Sequence, residues 1–215
     1  ALAEGEQVVA GVDDELFHAA LATERLHFTT DFAVVAHSDI VLICVPTPLI
    51  DHRPDLAPIE AAGASVGEHV QPGTLVILES TTYPGTTEQV LVPLLETHGR
   101  VAGEDLLVAF SPERINPGDT SLGFRGVPRV VGGLTPPCTR ATAAFYGQLV
   151  DKVHPVSSCR AAELAKLLEN TFRLVNIALV NELAQLCADQ GIDTWEVIDA
   201  AATKPFGFMR FDPGP

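Results

Sequence analysis

Positive charge is scarce in this chain: 13 Lys and Arg stand against 28 Asp and Glu over 215 residues, a formal charge of −15. A surface that follows a nucleic-acid backbone needs the opposite balance, so no nucleic-acid partner is expected. Cysteine is sparse as well. Cys44, Cys138, Cys159 and Cys187 fall in no CxxC or zinc-ligand spacing, which points to no metal site and predicts reduced, mostly buried thiols. No apolar run reaches membrane-spanning length and no signal peptide pattern opens the sequence, so a soluble, cytoplasmic protein without a membrane partner is expected. Internal repeats and low-complexity tracts are also missing. What is present is 47% hydrophobic content, ample for a packed core in one large or two small domains. An acidic chain still binds anions where helix N-termini and a few cations face them.

The densest pattern runs from Ala161 to Gln190. Leu164, Leu167, Leu168, Val175, Leu179, Leu183 and Leu186 recur mostly at steps of three and four, the mark of a helix with a broad apolar flank. Glu163, Lys166, Asn170 and Arg173 follow the same spacing and are expected one above another on a single polar face. Ser158 is placed to cap the start, and Gly191 to supply the left-handed residue at the end. Such a helix would span roughly 45 Å, enough to run from one domain into another. A lysine ammonium and an amide one turn apart, Lys166 and Asn170, could both hydrogen-bond one developing oxyanion or hold one water.

Upstream, apolar runs repeatedly end in polar residues. Gln7 to Asp13 reads as a strand closing on an acid, the arrangement in which a carboxylate meets an adenosine ribose. A short helix within Asp14 to Thr30 and a brief strand at Leu26 to Thr29 are expected next. Asp39 to Pro48 is a continuous apolar run of the kind buried on both faces of a parallel sheet, stopped by Pro46 and Pro48 with Thr47 at its carboxyl edge. A helix over Asp55 to His69 precedes Thr74 to Thr82, an apolar strand running into hydroxyls. A helix then starts at Tyr83-Pro-Gly-Thr-Thr87, so Thr81 and Thr82 lie where backbone donors and a helix dipole favour a phosphate or a reacting hydroxyl. Asp105 to Glu113 is a third such strand, and Arg114, Arg125 and Arg129 stand near to meet phosphate. Arg129 to Gly133, a helix over Pro136 to Leu149, Lys152 to Val156 and a helix over Thr194 to Ala202 complete the series. Strands ending in polar groups and alternating with helices define an α/β fold with a doubly wound parallel sheet.

Four blocks carry a resemblance: Glu79 to Thr87 (ESTTYPGTT), Ser111 to Gly118 (SPERINPG), Ala162 to Arg173 (AELAKLLENTFR) and Trp195 to Gly207 (WEVIDAAATKPFG). In this order they resemble the UDP-glucose/GDP-mannose dehydrogenase family of nucleotide-sugar 6-dehydrogenases, nearest the branch that oxidises UDP-N-acetylglucosamine or UDP-N-acetylmannosamine. The resemblance implies a Rossmann-like NAD-binding domain over 1–157, lacking its first strand and Gly-rich turn, and over 158–215 the central helix with the start of a helical dimerisation and substrate domain. It also implies oxidation of the C6 alcohol of a UDP-N-acetylhexosamine, or of UDP-glucose, to a carboxylate with two NAD+, and a homodimer built through the 161–190 helix.

Carried over by position, the resemblance gives Thr82 to cofactor and catalytic water, Glu113 to acid/base work, and Lys166 and Asn170 to substrate binding and oxyanion stabilisation. It places Asp13, Val45, Pro46, Thr47 and Thr81 on the cofactor, and Arg114, Ile115 and Asn116 beside Glu113 on the UDP-sugar. The second glutamate of UDP-glucose enzymes, four residues after the first, is here Pro117, which favours the N-acetylhexosamine branch. The cysteine that traps the aldehyde as a thiohemiacetal is implied shortly after the F-x-P-G-P run, and the sequence stops at Pro215, so a piece of a longer polypeptide is expected. Two alternatives remain: a non-catalytic sugar-nucleotide-binding module, and a 6-phosphogluconate-type dehydrogenase, against which the SPERINPG and KPFG blocks argue.

Overall fold

A computed structural model describes residues 2, 6, 12–114 and 123–214. The chain divides into two compact units, residues 1–164 and 165–215. In the first, β1 (Ile40–Ile43), β4 (Leu75–Leu78), β5 (Leu107–Phe110), β6 (Arg129–Gly133) and β7 (Val153–Val156) form one sheet in the spatial order β1-β4-β5-β6-β7. Pairing is parallel except between β5 and β6, where Ala109 meets Gly133 and Phe110 meets Gly132 in antiparallel register. The sheet is therefore parallel-dominated, with one reversal. A two-stranded ribbon, β2 (Leu49–Ile50) and β3 (Arg53–Pro54), follows β1 and was not foreseen.

The side chains of β4 alternate between two cores, as a pleated strand requires. Val76 and Leu78 join a cluster with Ile59 and Val66 of α2 (Ala57–His69), and Leu91 and Leu95 before and within α3 (Val92–Leu95). Leu75 and Ile77 join the opposite cluster with Tyr146 of α5 (Pro136–Tyr146) and Val150. β4 is fully buried along its length. β1 is not, contrary to the expectation of a strand buried on both faces: Ile43 is buried, but Ile40 and Leu42 are 37% and 42% exposed. Their register partners Leu75 and Ile77 lie on the face that α5 covers, whereas β1 has a single neighbour among the described strands.

Other elements match their spacing closely. Asp13 caps α1 (Asp14–Ala22) by accepting from Leu16 N at 2.9 Å. The strand expected at Leu26 to Thr29 is not formed; these residues are exposed, with no ladder partner among the described residues, and Phe28 lies against Phe17 instead. The strand read over Gln7 to Asp13 falls largely outside the described residues. Before α3 the chain makes a π-helical turn, Thr87–Leu91. Pro93 has no amide to offer the carbonyl of residue 89, and a widened turn absorbs the loss. α4 is the single turn Gly123–Gly126.

α6 (Cys159–Gln190) begins in the first unit, where the Ser158 hydroxyl accepts from Ala161 N at 3.2 Å. Gly132 admits this helix head: a Cβ there would stand 2.1 Å from the Ser158 carbonyl oxygen. In the second unit Gly191 ends α6 at φ +66°, and Ile192 N closes back on Cys187 O at 2.9 Å, the left-handed stop read from the sequence. Asp193 then caps α7 (Thr194–Ala202). Val180, Cys187 and Ile198 are buried in this unit. Asn181 holds the tail by exchanging two hydrogen bonds with Gly214, at 2.8 and 2.9 Å.

Candidate functional site

The parallel strands β1, β4 and β5 point their carboxyl ends the same way, so the segments after them meet at one edge. Cys44 to Pro48 follows β1, Glu79 to Thr82 follows β4, and Ser111 to Arg114 follows β5. These segments are tied across: Ser80 Oγ donates to Val45 O at 2.7 Å, Thr47 Oγ1 donates to Thr81 O at 2.9 Å, and Glu79 N donates to Ile43 O at 3.0 Å. Between them opens a cavity of ≈ 230 Å³, lined by Cys44, Val45, Glu79, Ser80, Thr81 and Glu113.

The antiparallel turn of β6 adds a cation to this edge. Because β6 runs against β5, its first residue, Arg129, lies beyond the carboxyl end of β5. Only 5% exposed, Arg129 places Nη2 3.3 Å from Glu113 Oε2 and 3.6 Å from Glu79 Oε1, and Nη1 donates to Pro112 O at 2.9 Å. The expectation that Arg129 meets phosphate is thereby corrected: two carboxylates already share its charge. Arg125 is spent on a surface ion pair with Asp151 at 3.7 Å.

Glu79 is the acceptor for two further donors, the Tyr146 phenol and the Cys44 thiol at 3.6 Å. Burial first, and then the Glu79 carboxylate, drive the Tyr146 pKa well above its ordinary value. Cys44 is exposed as a residue, yet its thiol at the cavity wall is pushed up to about 12, by desolvation first and Glu79 second. Such a thiol stays protonated near neutrality and is a poor nucleophile.

The helix start after Thr82 also departs from expectation. Glu163, fully buried, reaches from α6 to accept from Gly85 N at 2.5 Å, Thr87 N at 2.8 Å and Thr87 Oγ1 at 2.7 Å. The donors expected to hold a phosphate therefore hold a carboxylate of the chain itself. This also removes Glu163 from the polar face on which it was read with Asn170 and Arg173, both of which are exposed.

Of the site residues read from the sequence, Val45, Thr81 and Glu113 line the cavity, and Thr47 braces its wall. Pro46 is exposed beside them. Thr82 is 4% exposed, and its hydroxyl has no hydrogen-bond partner among the described residues. An orphaned hydroxyl at this edge fits a bound group that supplies the missing partner. Arg114 donates its amide to Glu113 Oε1 at 2.6 Å and its guanidinium to Pro128 O at 2.7 Å. Asp13 is occupied as the cap of α1 and does not line the cavity. Ile115, Asn116 and Pro117 lie outside the described residues. Lys166, half-buried, and Asn170, exposed, sit one turn apart on α6 in the second unit. Sequence reasoning missed Glu79, Arg129 and Tyr146 as members of one cluster. The polar residue closing β4 was the available signal for Glu79, whereas the contact of Arg129 depends on the reversed β6.

The cavity lies at the carboxyl edge of an open α/β sheet, the place where ligands bind in folds of this class. Comparison with known proteins narrows the class. Residues 6–150 match the NAD binding domain of the UDP-glucose/GDP-mannose dehydrogenase family, and residues 160–215 match its central domain. The chain belongs to the UDP-glucose/GDP-mannose dehydrogenase family, and NAD is the cofactor of its first domain. It is 42% identical over 193 residues to UDP-N-acetyl-D-glucosamine 6-dehydrogenase of Pseudomonas aeruginosa, covering 88% of this chain and 46% of that protein. It is 44% identical over 187 residues to UDP-N-acetyl-D-mannosamine dehydrogenase of Salmonella typhi, covering 83% of this chain and 44% of that protein. The UDP-D-ManNAc dehydrogenase structure from Pyrococcus horikoshii superposes with a TM-score of 0.91 at 34% identity, over 99% of this chain and 51% of that one. The chain thus spans about half the length of the relatives it matches.

Proposed function

We propose that the protein of which this chain forms part is an NAD-dependent UDP-sugar 6-dehydrogenase, oxidising the C6 alcohol of a UDP-N-acetylhexosamine to a uronate with two NAD+. The observation that carries this reading is the meeting of Glu113 and the β1 and β4 edges at one cavity in a chain of this family. NAD would supply the hydride acceptor. Val45, Pro46, Thr47 and Thr81 would line its binding edge, and the buried, unpartnered Thr82 hydroxyl would bond cofactor or water. Asp13 has one carboxylate oxygen engaged in its cap and would offer the other to a ribose hydroxyl.

Glu113 would take the proton of the C6 hydroxyl, directly or through water, from a carboxylate whose orientation is fixed by Arg129 and its own neighbouring amide. Arg114, Ile115 and Asn116 would meet the sugar nucleotide, and Lys166 and Asn170 would stabilise charge left on oxygen. The second oxidation calls for a nucleophile. Cys44, although at the cavity wall, is unsuited because its thiol is held protonated toward Glu79; Cys138, Cys159 and Cys187 are buried. The nucleophile is assigned to the remainder of the full protein.

The same reading makes the protein a cytoplasmic homodimer joined through α6. Exposed Leu168, Phe172, Val175 and Leu179 support the dimer by offering apolar surface along that helix. No described helix is long and apolar enough to cross a membrane. The test is NADH formation by the full-length protein with UDP-N-acetylglucosamine, UDP-N-acetylmannosamine and UDP-glucose in parallel. Two NADH per sugar with one N-acetylhexosamine is the expected result, and no NADH with any of the three overturns the reading.

A further inference from the structure

Two carboxylates and one guanidinium share the cavity edge. Arg129 grips Glu113 at two points, the side-chain Oε2 and the carbonyl of the preceding Pro112, so backbone and side chain are fixed together. Glu113 Oε1 takes the Arg114 amide, which sets the other side of the carboxyl group. Even so, the Glu113 side chain keeps 44% of its exposure, at the cavity. Glu79 is far more enclosed, at 11%, and its partners are side chains of the same cluster: Arg129, the Cys44 thiol and the Tyr146 phenol. The Arg129 guanidinium also lies 5.1 Å from the centre of the Tyr146 ring and 5.7 Å from that of Phe124, which fixes its plane.

A buried carboxylate is retained only where its charge is compensated. Here the compensating charge is the one that also serves Glu113, so the two acids compete for it. We propose that Glu79 and Arg129 are positioning residues for Glu113: Arg129 holds its carboxylate at the cavity, and Glu79, by drawing on the same cation, tunes how readily Glu113 takes a proton. The inference rests on the acid/base role proposed for Glu113. Among the described residues, the charged and titratable groups near Glu113 are Arg129 from β6, Glu79 from the end of β4, Cys44 from the end of β1 and adjacent Arg114.

The two positioning groups pull in opposite directions, which makes the assignment testable. In full-length protein, Glu79→Gln leaves the guanidinium wholly to Glu113 and shifts the acidic limb of kcat/KM down by about one pH unit. Arg129→Gln removes the cation and shifts the same limb up by a similar amount. Arg129→Lys restores the charge without the fork; its limb stays near wild type while kcat falls at least tenfold with little change in KM, and it serves should Arg129→Gln fail to fold. Carboxyl-carbon NMR titration of Glu113, assigned with Glu113→Gln, reads the same coupling without turnover. If no UDP-sugar is oxidised but the titration of Glu113 moves down in Glu79→Gln, the proposed function fails and the coupling stands. An unmoved Glu113 titration in Glu79→Gln overturns the inference, as does a shift of the same sign in Glu79→Gln and Arg129→Gln.

Discussion

Glu163 and Thr87 are joined twice, the Oε1 of the buried carboxylate accepting both the amide at 2.8 Å and the hydroxyl at 2.7 Å of the threonine. With Oε2 on Gly85 N at 2.5 Å, a residue of α6 closes the N-terminal turn that leads into α3. A helix start carries unpaired amides and a partial positive charge, which attract an anion. The chain provides that anion itself, from 76 residues further on.

Glu163→Gln is expected to destabilise the first unit by about 2–4 kcal/mol, because the amide group replaces an acceptor that faces an N–H donor in a buried place. Chemical denaturation monitored by circular dichroism measures the loss. Added phosphate should not restore stability, since the Gln side chain still fills the space; a phosphate-dependent recovery would show that the helix start is an open anion site.

Alkaline pH is expected to destabilise the fold through its thiols. Cys159 is fully buried, and desolvation first, then Glu163, push its thiol from 9.0 to about 12; Cys44 is raised to about the same value. The unfolded chain releases these protons near pH 9 while the native state keeps them, so the stabilisation is complete below pH 9 and is lost as pH rises toward 12. For Cys159 the slope is on the order of 1 kcal/mol per pH unit. Guanidinium unfolding of wild type and Cys159→Ala across this range checks it, the variant showing the shallower decline.

Gly132 and Gly73 should respond differently to alanine. A Cβ on Gly132 would meet the Ser158 carbonyl oxygen at 2.1 Å, backbone against backbone at the head of α6, whereas a Cβ on Gly73 meets nothing within 4 Å and is disfavoured only by its φ of +93°. Gly132→Ala is expected to cost about 3 kcal/mol or more, as overpacking with no side chain to yield. Gly73→Ala should cost roughly 1 kcal/mol. Paired thermal melts decide it, and equal losses would show that α6 retreats freely.

Period and punctuation made the sheet legible. Arg129 to Gly133 and Thr194 to Ala202 take the bounds their patterns predict, and the capping residues of α6 do what their types require. Strand direction was not legible, because an apolar run reads alike in either sense; Arg129 consequently looked like a phosphate ligand and proved to be the partner of Glu79 and Glu113. Glu163 failed for a related reason. Its spacing from Lys166 and Asn170 is correct for a shared face, but at the head of α6 the positions turned to the core, Cys159, Ala162 and Glu163, are buried while Leu164 stays exposed. Val45, Thr81 and Glu113 line one cavity, and their places at strand ends were legible because strand ends, unlike strand directions, are marked by the residues that stop them.

Thr82 carries the sharpest separation of stability from function. Its hydroxyl is buried without a partner among the described residues, a state that costs about 1–3 kcal/mol against a satisfied or apolar group. Thr82→Val keeps the branched shape and removes the unpaired oxygen, so the unliganded protein should melt at the same temperature or higher, with a gain of about 1 kcal/mol. If the hydroxyl is kept for cofactor or water, the same variant should lose at least tenfold in NADH formation by the full-length protein, and the stabilisation that NAD+ gives wild type in a thermal shift should shrink. A variant that is less stable and fully active would place the hydroxyl in the fold rather than in the site. Greater stability with weaker response to NAD+ is the outcome that follows from an orphaned donor at the carboxyl edge of the sheet.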